Sequence, residues 1–136
     1  MNPMKKISIA VLILCFSTSF ASASVDNKKV DDAIKKGVAW LKAQQKANGC
    51  WGPRRGYPLG DTALVAYALL SCGESAQDAQ VKKALDFLSA NETNRVYTLG
   101  MLCSALHLAA LENPAYEKPL RKFSWSLVKY VKDGTY

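Results

Sequence analysis

Residues 36–51, KGVAWLKAQQKANGCW, are the stretch from which the rest of the chain is read. They join a basic and a small residue (Lys36, Gly37), an aromatic-aliphatic pair (Trp40, Leu41), a glutamine (Gln45) and a closing Gly49-x-Trp51. Val30, Ile34, Val38 and Leu41 recur every three or four residues, which is the spacing of one helix face. Lys35, Lys36, Lys42 and Lys46 fall largely on the other side. Asp26 or Asn27 can cap the start, and the acidic Asp31 and Asp32 suit a first turn. Asn48-Gly49 is a stop signal, because glycine takes the left-handed position after a helix cheaply. The spacing predicts an amphipathic helix over about 27–47.

Downstream the same alternation continues. A loop rich in Gly and Pro over 50–60 leads to ALVAYALL at 63–70, with Asp61 or Thr62 as the expected cap. A helix apolar at every position belongs in an interior, and this one is far too short for lipid. Gly73 ends it. The Ser75-Ala76-Gln77-Asp78 segment approximates a capping box before a third, amphipathic helix carrying Val81, Ala84, Leu85 and Leu88. A fourth helix over about 95–111 is again nearly all apolar, and Asn113-Pro114 stops it. A fifth over about 115–132 shows Leu120, Phe123, Leu127 and Tyr130 at helical spacing. No strand is required anywhere. The fold class is all-α, and the order is amphipathic, buried, amphipathic, buried, amphipathic.

The amphipathic helices are also related in sequence. IKKGVAWL at 34–41 aligns with VKKALDFL at 81–88, and a longer shift places Trp40 on Trp125, Gly49 on Gly134 and Trp51 on Tyr136. Two helices per repeat at such a period indicate helical hairpins, each burying its face against its neighbours. The fully apolar second and fourth helices favour a closed ring with those helices inside.

The N-terminus reads as a targeting segment. Residues 1–6 are basic, 7–16 are an apolar run too short to span a bilayer comfortably, and Ala21-Ser22-Ala23 fits a cleavage site. A signal peptide over 1–23 makes the mature chain a single small domain over 24–136, secreted or periplasmic. The formal net charge is +7, and +5 once Lys5 and Lys6 are removed. No later segment is a transmembrane helix. Cys50, Cys72 and Cys103 remain in the mature chain, an odd number. Cys50 and Cys72 are the candidates for a disulfide, against a reading of all three as small buried residues.

At this point residues 36–51 resemble the QW motif of squalene cyclases and related prenyltransferase-type α/α toroids. The residues that carry it are Lys36, Gly37, Trp40, Leu41, Gln45, Gly49 and Trp51. A second copy keeps Lys83, Ala84, Phe87 and Leu88, and a third keeps Arg121, Trp125, Gly134 and Tyr136. In physical terms the motif is a clamp: a tight turn at Gly49, an apolar plate at Trp51, and a Gln45 amide that can bond backbone at a helix end. The resemblance implies an α/α toroid. The chain carries about two and a half hairpins of it, an incomplete ring that a further chain or a missing segment would complete.

The chemistry of the family does not carry over intact. Squalene-cyclase-like enzymes protonate a polyene from a D-x-D-D-T-A motif, and the corresponding place here reads Pro58-Leu59-Gly60-Asp61-Thr62-Ala63. Gly60 stands at the proton-donating position, which leaves Asp61 a weak catalytic candidate with a helix-cap explanation. Asp31-Asp32 is not followed by the pattern of a diphosphate-magnesium site. Cys103 and His107 share a helix face and are soft-metal ligand types, but two ligands are not a zinc site. No cofactor is indicated. Arg54 and Arg55 beside Tyr57 form the one compact basic-aromatic cluster, a candidate contact for an anion or ligand. The lysines are spread over helix faces without a continuous basic stripe, which speaks against nucleic acid. The expected function is that of an exported, non-catalytic helical-repeat module with a structural or binding role. The alternatives are the N-terminal part of a cyclase-like or prenyltransferase-like enzyme with its catalytic residues elsewhere, and a domain that holds an apolar ligand between the second and fourth helices.

Overall fold

The structure is a computed structural model that describes residues 26–52 and 57–132, the last two by backbone alone. The expected signal peptide, Arg54, Arg55, and the third-copy positions Gly134 and Tyr136 lie outside the described residues. The chain divides into two units, Met1–Val30 and Asp31–Tyr136. The described residues are all-helical: α1 (Asn27–Ala43), α2 (Pro58–Ser71), α3 (Ala79–Ala90), α4 (Val96–Glu112), a 3-10 turn (Pro114–Tyr116) and α5 (Glu117–Lys132). None of these helices is long and apolar enough to cross a membrane.

Three boundaries differ from the sequence reading, each for a local reason. Helix α1 stops at Ala43 rather than near 47. Its chain tightens through Gln44 N to Leu41 O and Gln45 N to Lys42 O, then turns through Gly49 N to Lys46 O. Helix α2 begins at Pro58, well before Asp61 and Thr62, so neither residue is its cap. Proline costs nothing at a first helical position, where its missing N–H would find no partner anyway. Before α3, Asp78 itself is the N-cap and accepts from the Gln80 and Val81 amides at 3.0 and 3.2 Å. Ser75 instead donates to Glu112 Oε2 at 2.8 Å, and that same carboxylate accepts from Ala76 N at 2.9 Å. Glu112 at the end of α4 thus ties down the α2–α3 connection. That connection opens at Gly73, whose φ of 89° lets Glu74 N reach Leu69 O and Gly73 N reach Leu70 O.

Helix α4 is central. It packs against α2 on one side and α5 on another, and α2 also packs against α3. The core between them is built from Leu69, Leu85, Leu88, Leu99, Leu102 and Leu106, all without solvent exposure. Ala63, Ala66, Ala84, Ala105 and Ala109 alternate with these leucines, and small side chains let helix backbones approach closely. Phe123 of α5 and Tyr116 of the 3-10 turn complete that core from the C-terminal side. The apolar helices are not buried all round. Leu64 and Tyr67 on α2, and Tyr97, His107 and Leu111 on α4, remain exposed.

Candidate functional site

The polar bonds between distant segments concentrate where α1 ends, and Gln45 sits at their centre. Released from the helix, its Nε2 donates to Gly49 O at 3.0 Å and to Gln80 O at 2.8 Å. Gln80, in the first turn of α3, donates its own Nε2 back to Lys42 O at 2.8 Å. The last carbonyls of a helix have no partner within it, and the Gln80 bond gives Lys42 O a second one beside Gln45 N. Trp51 Nε1 does the same for Leu41 O, at 2.7 Å. The Trp51 ring is buried, and its backbone N–H donates to Thr62 Oγ1 at 3.1 Å. Thr62 then donates to Pro58 O at 2.6 Å, which links the clamp to the first turn of α2.

Gly49 is required twice over. Its φ is 88°, and a Cβ there would overlap the Lys83 carbonyl oxygen of α3. An ion-paired triad closes the same junction. Lys42 at the end of α1 meets Glu74 and, at 3.0 Å, the N-cap carboxylate of Asp78. The Glu74 hydrogen bond chiefly raises the Lys42 pKa above its usual value, against desolvation and with help from Asp78. Desolvation pushes the Asp78 carboxyl up, but bonds from Lys42, Val81 N and Gln80 N outweigh it and hold the group below the ordinary aspartate range.

The seven motif residues therefore divide. Leu41, Gln45, Gly49 and Trp51 build the junction. Lys36, Gly37 and Trp40 lie exposed on α1, and nothing stands within 4 Å of a Cβ placed on Gly37. Gln80, Thr62, Glu74 and Asp78 are the partners the sequence did not single out for this role, since their spacing from the motif carries no period.

Two clefts adjoin the junction. One, of about 580 Å³, is lined by Trp40, Trp51, Gly52, Asp61, Leu64 and Val65 among others. The other, of about 220 Å³, lies between the starts of α2 and α4, against Tyr57, Gly60, Asp61, Leu64, Arg95 and Tyr97. Asp61 and Leu64 line both. Asp61 sits in the first turn of α2, half-buried, a place where the helix dipole suits an acidic residue. The Arg95 guanidinium stacks 3.8 Å from the centroid of Tyr57. Gly60 is buried, and a side chain there would press on Thr98 Oγ1 at 3.2 Å.

Cys50, Cys72 and Cys103, the described cysteines, are free thiols. Cys50 is buried at the clamp and Cys72 is exposed at the end of α2, and the two, candidates for a disulfide, stand unpaired here. Cys103 is half-buried beside Ser124 Oγ, 3.8 Å away, and burial pushes its thiol pKa up. That disfavours the thiolate a metal needs. His107, four residues on, is exposed. Among the described residues no group of three His, Cys, Asp or Glu side chains is placed to hold a metal ion. No family model, curated protein or solved structure matches the chain.

Proposed function

We propose that this chain is an exported helical-repeat module of the α/α-toroid type, related to squalene cyclases and prenyltransferases, that binds or scaffolds rather than catalyses. The observation that carries the reading is the junction itself. Gln45, Gly49 and Trp51 spend their hydrogen bonds and backbone conformation on fastening α1 to α2 and α3, which is a structural use of the motif. The position where a cyclase would hold its proton-donating acid is Gly60, buried against Thr98. In this reading the exposed apolar residues of α2 and α4 face a further helical segment or chain of the same architecture. Purified chain incubated with squalene, and separately with farnesyl diphosphate and magnesium, should return both substrates unchanged in product analysis. Specific turnover of either would overturn the reading.

A second reading rests on the two clefts that share Asp61 and Leu64. Their walls of Trp40, Trp51, Tyr57 and Tyr97 suit an apolar ligand, with Asp61 and Arg95 as its polar limits. Part of a cyclase-like or prenyltransferase-like enzyme would use the same space, with its catalytic groups contributed from elsewhere. Farnesol should quench the tryptophan emission of the chain, and Trp40→Phe should weaken that quenching. Unchanged emission at saturating farnesol would remove the ligand reading and leave the scaffold.

A further inference from the structure

A further cleft, of about 720 Å³, shares no lining residue with the clefts beside Asp61. It opens between α3 and the start of α5. Its size falls within the range that holds small organic ligands. Three features of its wall point to the chemistry of an occupant.

The first is Ser89. Its hydroxyl is shut off from solvent and makes no hydrogen bond. Buried hydroxyls nearly always have a partner, so one lining a cleft without any marks a place where a ligand or a bridging water completes the set. The second is the rim. Lys82, Lys118 and Lys122 bring three ammonium groups to it. Asp86 engages Lys82 at 2.7 Å and Glu92 engages Lys122 at 2.6 Å, while Lys118 is in no ion pair among the described residues. One positive charge is thus left over at the mouth. The third is the apolar part of the wall, to which Ala115, Pro119 and the buried Tyr116 contribute. Burial pushes the Tyr116 phenol pKa upward.

We infer that this cleft binds a small anionic amphiphile, a carboxylate or phosphate head on a short alkyl or acyl body. The head meets the Lys118 and Lys122 ammonium groups and the body lies along Pro119 and Tyr116. Lysine suits this use because it acts as a mobile point charge, without the fixed fork that arginine imposes on a head group. A free inorganic anion would leave the apolar wall wet, and a neutral alkyl chain would leave the charge at the mouth unanswered.

The test is calorimetric titration of the full chain with decanoate, decyl phosphate, decanol and decyltrimethylammonium. The two anions should bind, and the tighter of them identifies the head group. The alcohol and the cation should bind far more weakly. The double variant K118E/K122E changes two exposed side chains, and its fold is checked by circular dichroism. It should lose about tenfold in anion affinity, because like charges now face the head. Lys35→Ala, exposed on α1 and lining none of these clefts, should stay within about twofold of the parent, as distant sites are independent. Decanol binding as tightly as decanoate, an unchanged K118E/K122E variant, or no heat with either anion at millimolar concentration each overturns the assignment.

Discussion

Helices α1 and α3 carry the same apolar pattern and meet opposite fates. Val81, Ala84, Leu85 and Leu88 of α3 are without solvent exposure, whereas α1 buries none of its residues. Ile34, aligned with Val81, is 43% exposed, and Trp40, aligned with Phe87, is 57% exposed. The difference lies in what each helix packs against. The apolar face of α3 meets α2 and the leucines of the core. The C-terminal end of α1 is held by hydrogen bonds and an ion pair, through Lys42, Gln45 and Trp51. An apolar face at helical spacing records which side of a helix can be buried, and a partner decides whether it is. One helix is buried along its length, whereas the other sets only Val38 and Leu41 partly against the core and is fastened by polar bonds at that same end.

The largest expected effect belongs to the packed helix. Leu88→Ala removes a fully buried side chain facing the core and should cost about 2–5 kcal/mol in chemical denaturation. A loss under about 1 kcal/mol, the scale of an ordinary surface-to-intermediate substitution, would mean that α3 is not anchored as described. The polar fastening should respond next. Gly49→Ala forces a side chain into a left-handed conformation at about 1–2 kcal/mol, before the overlap with the Lys83 carbonyl is added. Its distinguishing mark is local. Hydrogen exchange should accelerate at the amides of α1 while those of α4 keep their protection. Uniform acceleration would show that the clamp is part of the global core and erase the contrast between the two helices.

The ion-paired junction adds a pH signature. Asp78 has a folded pKa below its unfolded value, so its contribution is present above the unfolded pKa of about 4 and is lost as pH falls through the depressed value. Lys42 is raised, so its contribution holds below about pH 10.4 and is lost as pH climbs through the higher folded value. Both side chains remain partly exposed, which limits the pair to about 1 kcal/mol. Asp78→Asn keeps a capping side chain but removes the titration. Its melting temperature should fall less steeply than that of the parent below about pH 4, the ordinary aspartate range. Parallel acid limbs would detach Asp78 from the stability of the junction.

The sequence made the helices legible because spacing is local. Val81, Ala84, Leu85 and Leu88 declare a face over a few residues, and the apolar runs of α2 and α4 declare an interior. What remained hidden depended on distance or on competition between local rules. Asp61 and Thr62 satisfy the preference for a cap, yet Pro58 starts the helix earlier, and Thr62 is drawn to Pro58 O and Trp51 N. Gln45 announces an available amide, but nothing near it names Gln80, which is 35 residues away, as the acceptor. The cleft bearing Ser89 was equally silent, because a serine in an amphipathic helix gives no sign that its hydroxyl will be shut in without a partner.

The smallest expected effect is the sharpest check on the comparison. Ile34→Ala trims an exposed side chain, so little burial is lost, and alanine is the stronger helix former by about 0.4 kcal/mol. The two terms oppose each other, and the net change should lie within about 0.5 kcal/mol of zero. Val81→Ala, at the aligned position, removes a side chain with no solvent exposure and should cost about 1–3 kcal/mol. Measured together at several protein concentrations, the pair reads the partner directly. If Ile34→Ala approaches the cost of Val81→Ala, and more so at high concentration, a second surface covers α1 in solution. If it stays near zero throughout, the N-terminal part of the pattern is idle in α1, and the helix is held at its C-terminal end, where Val38 and Leu41 meet the core beside the polar fastening.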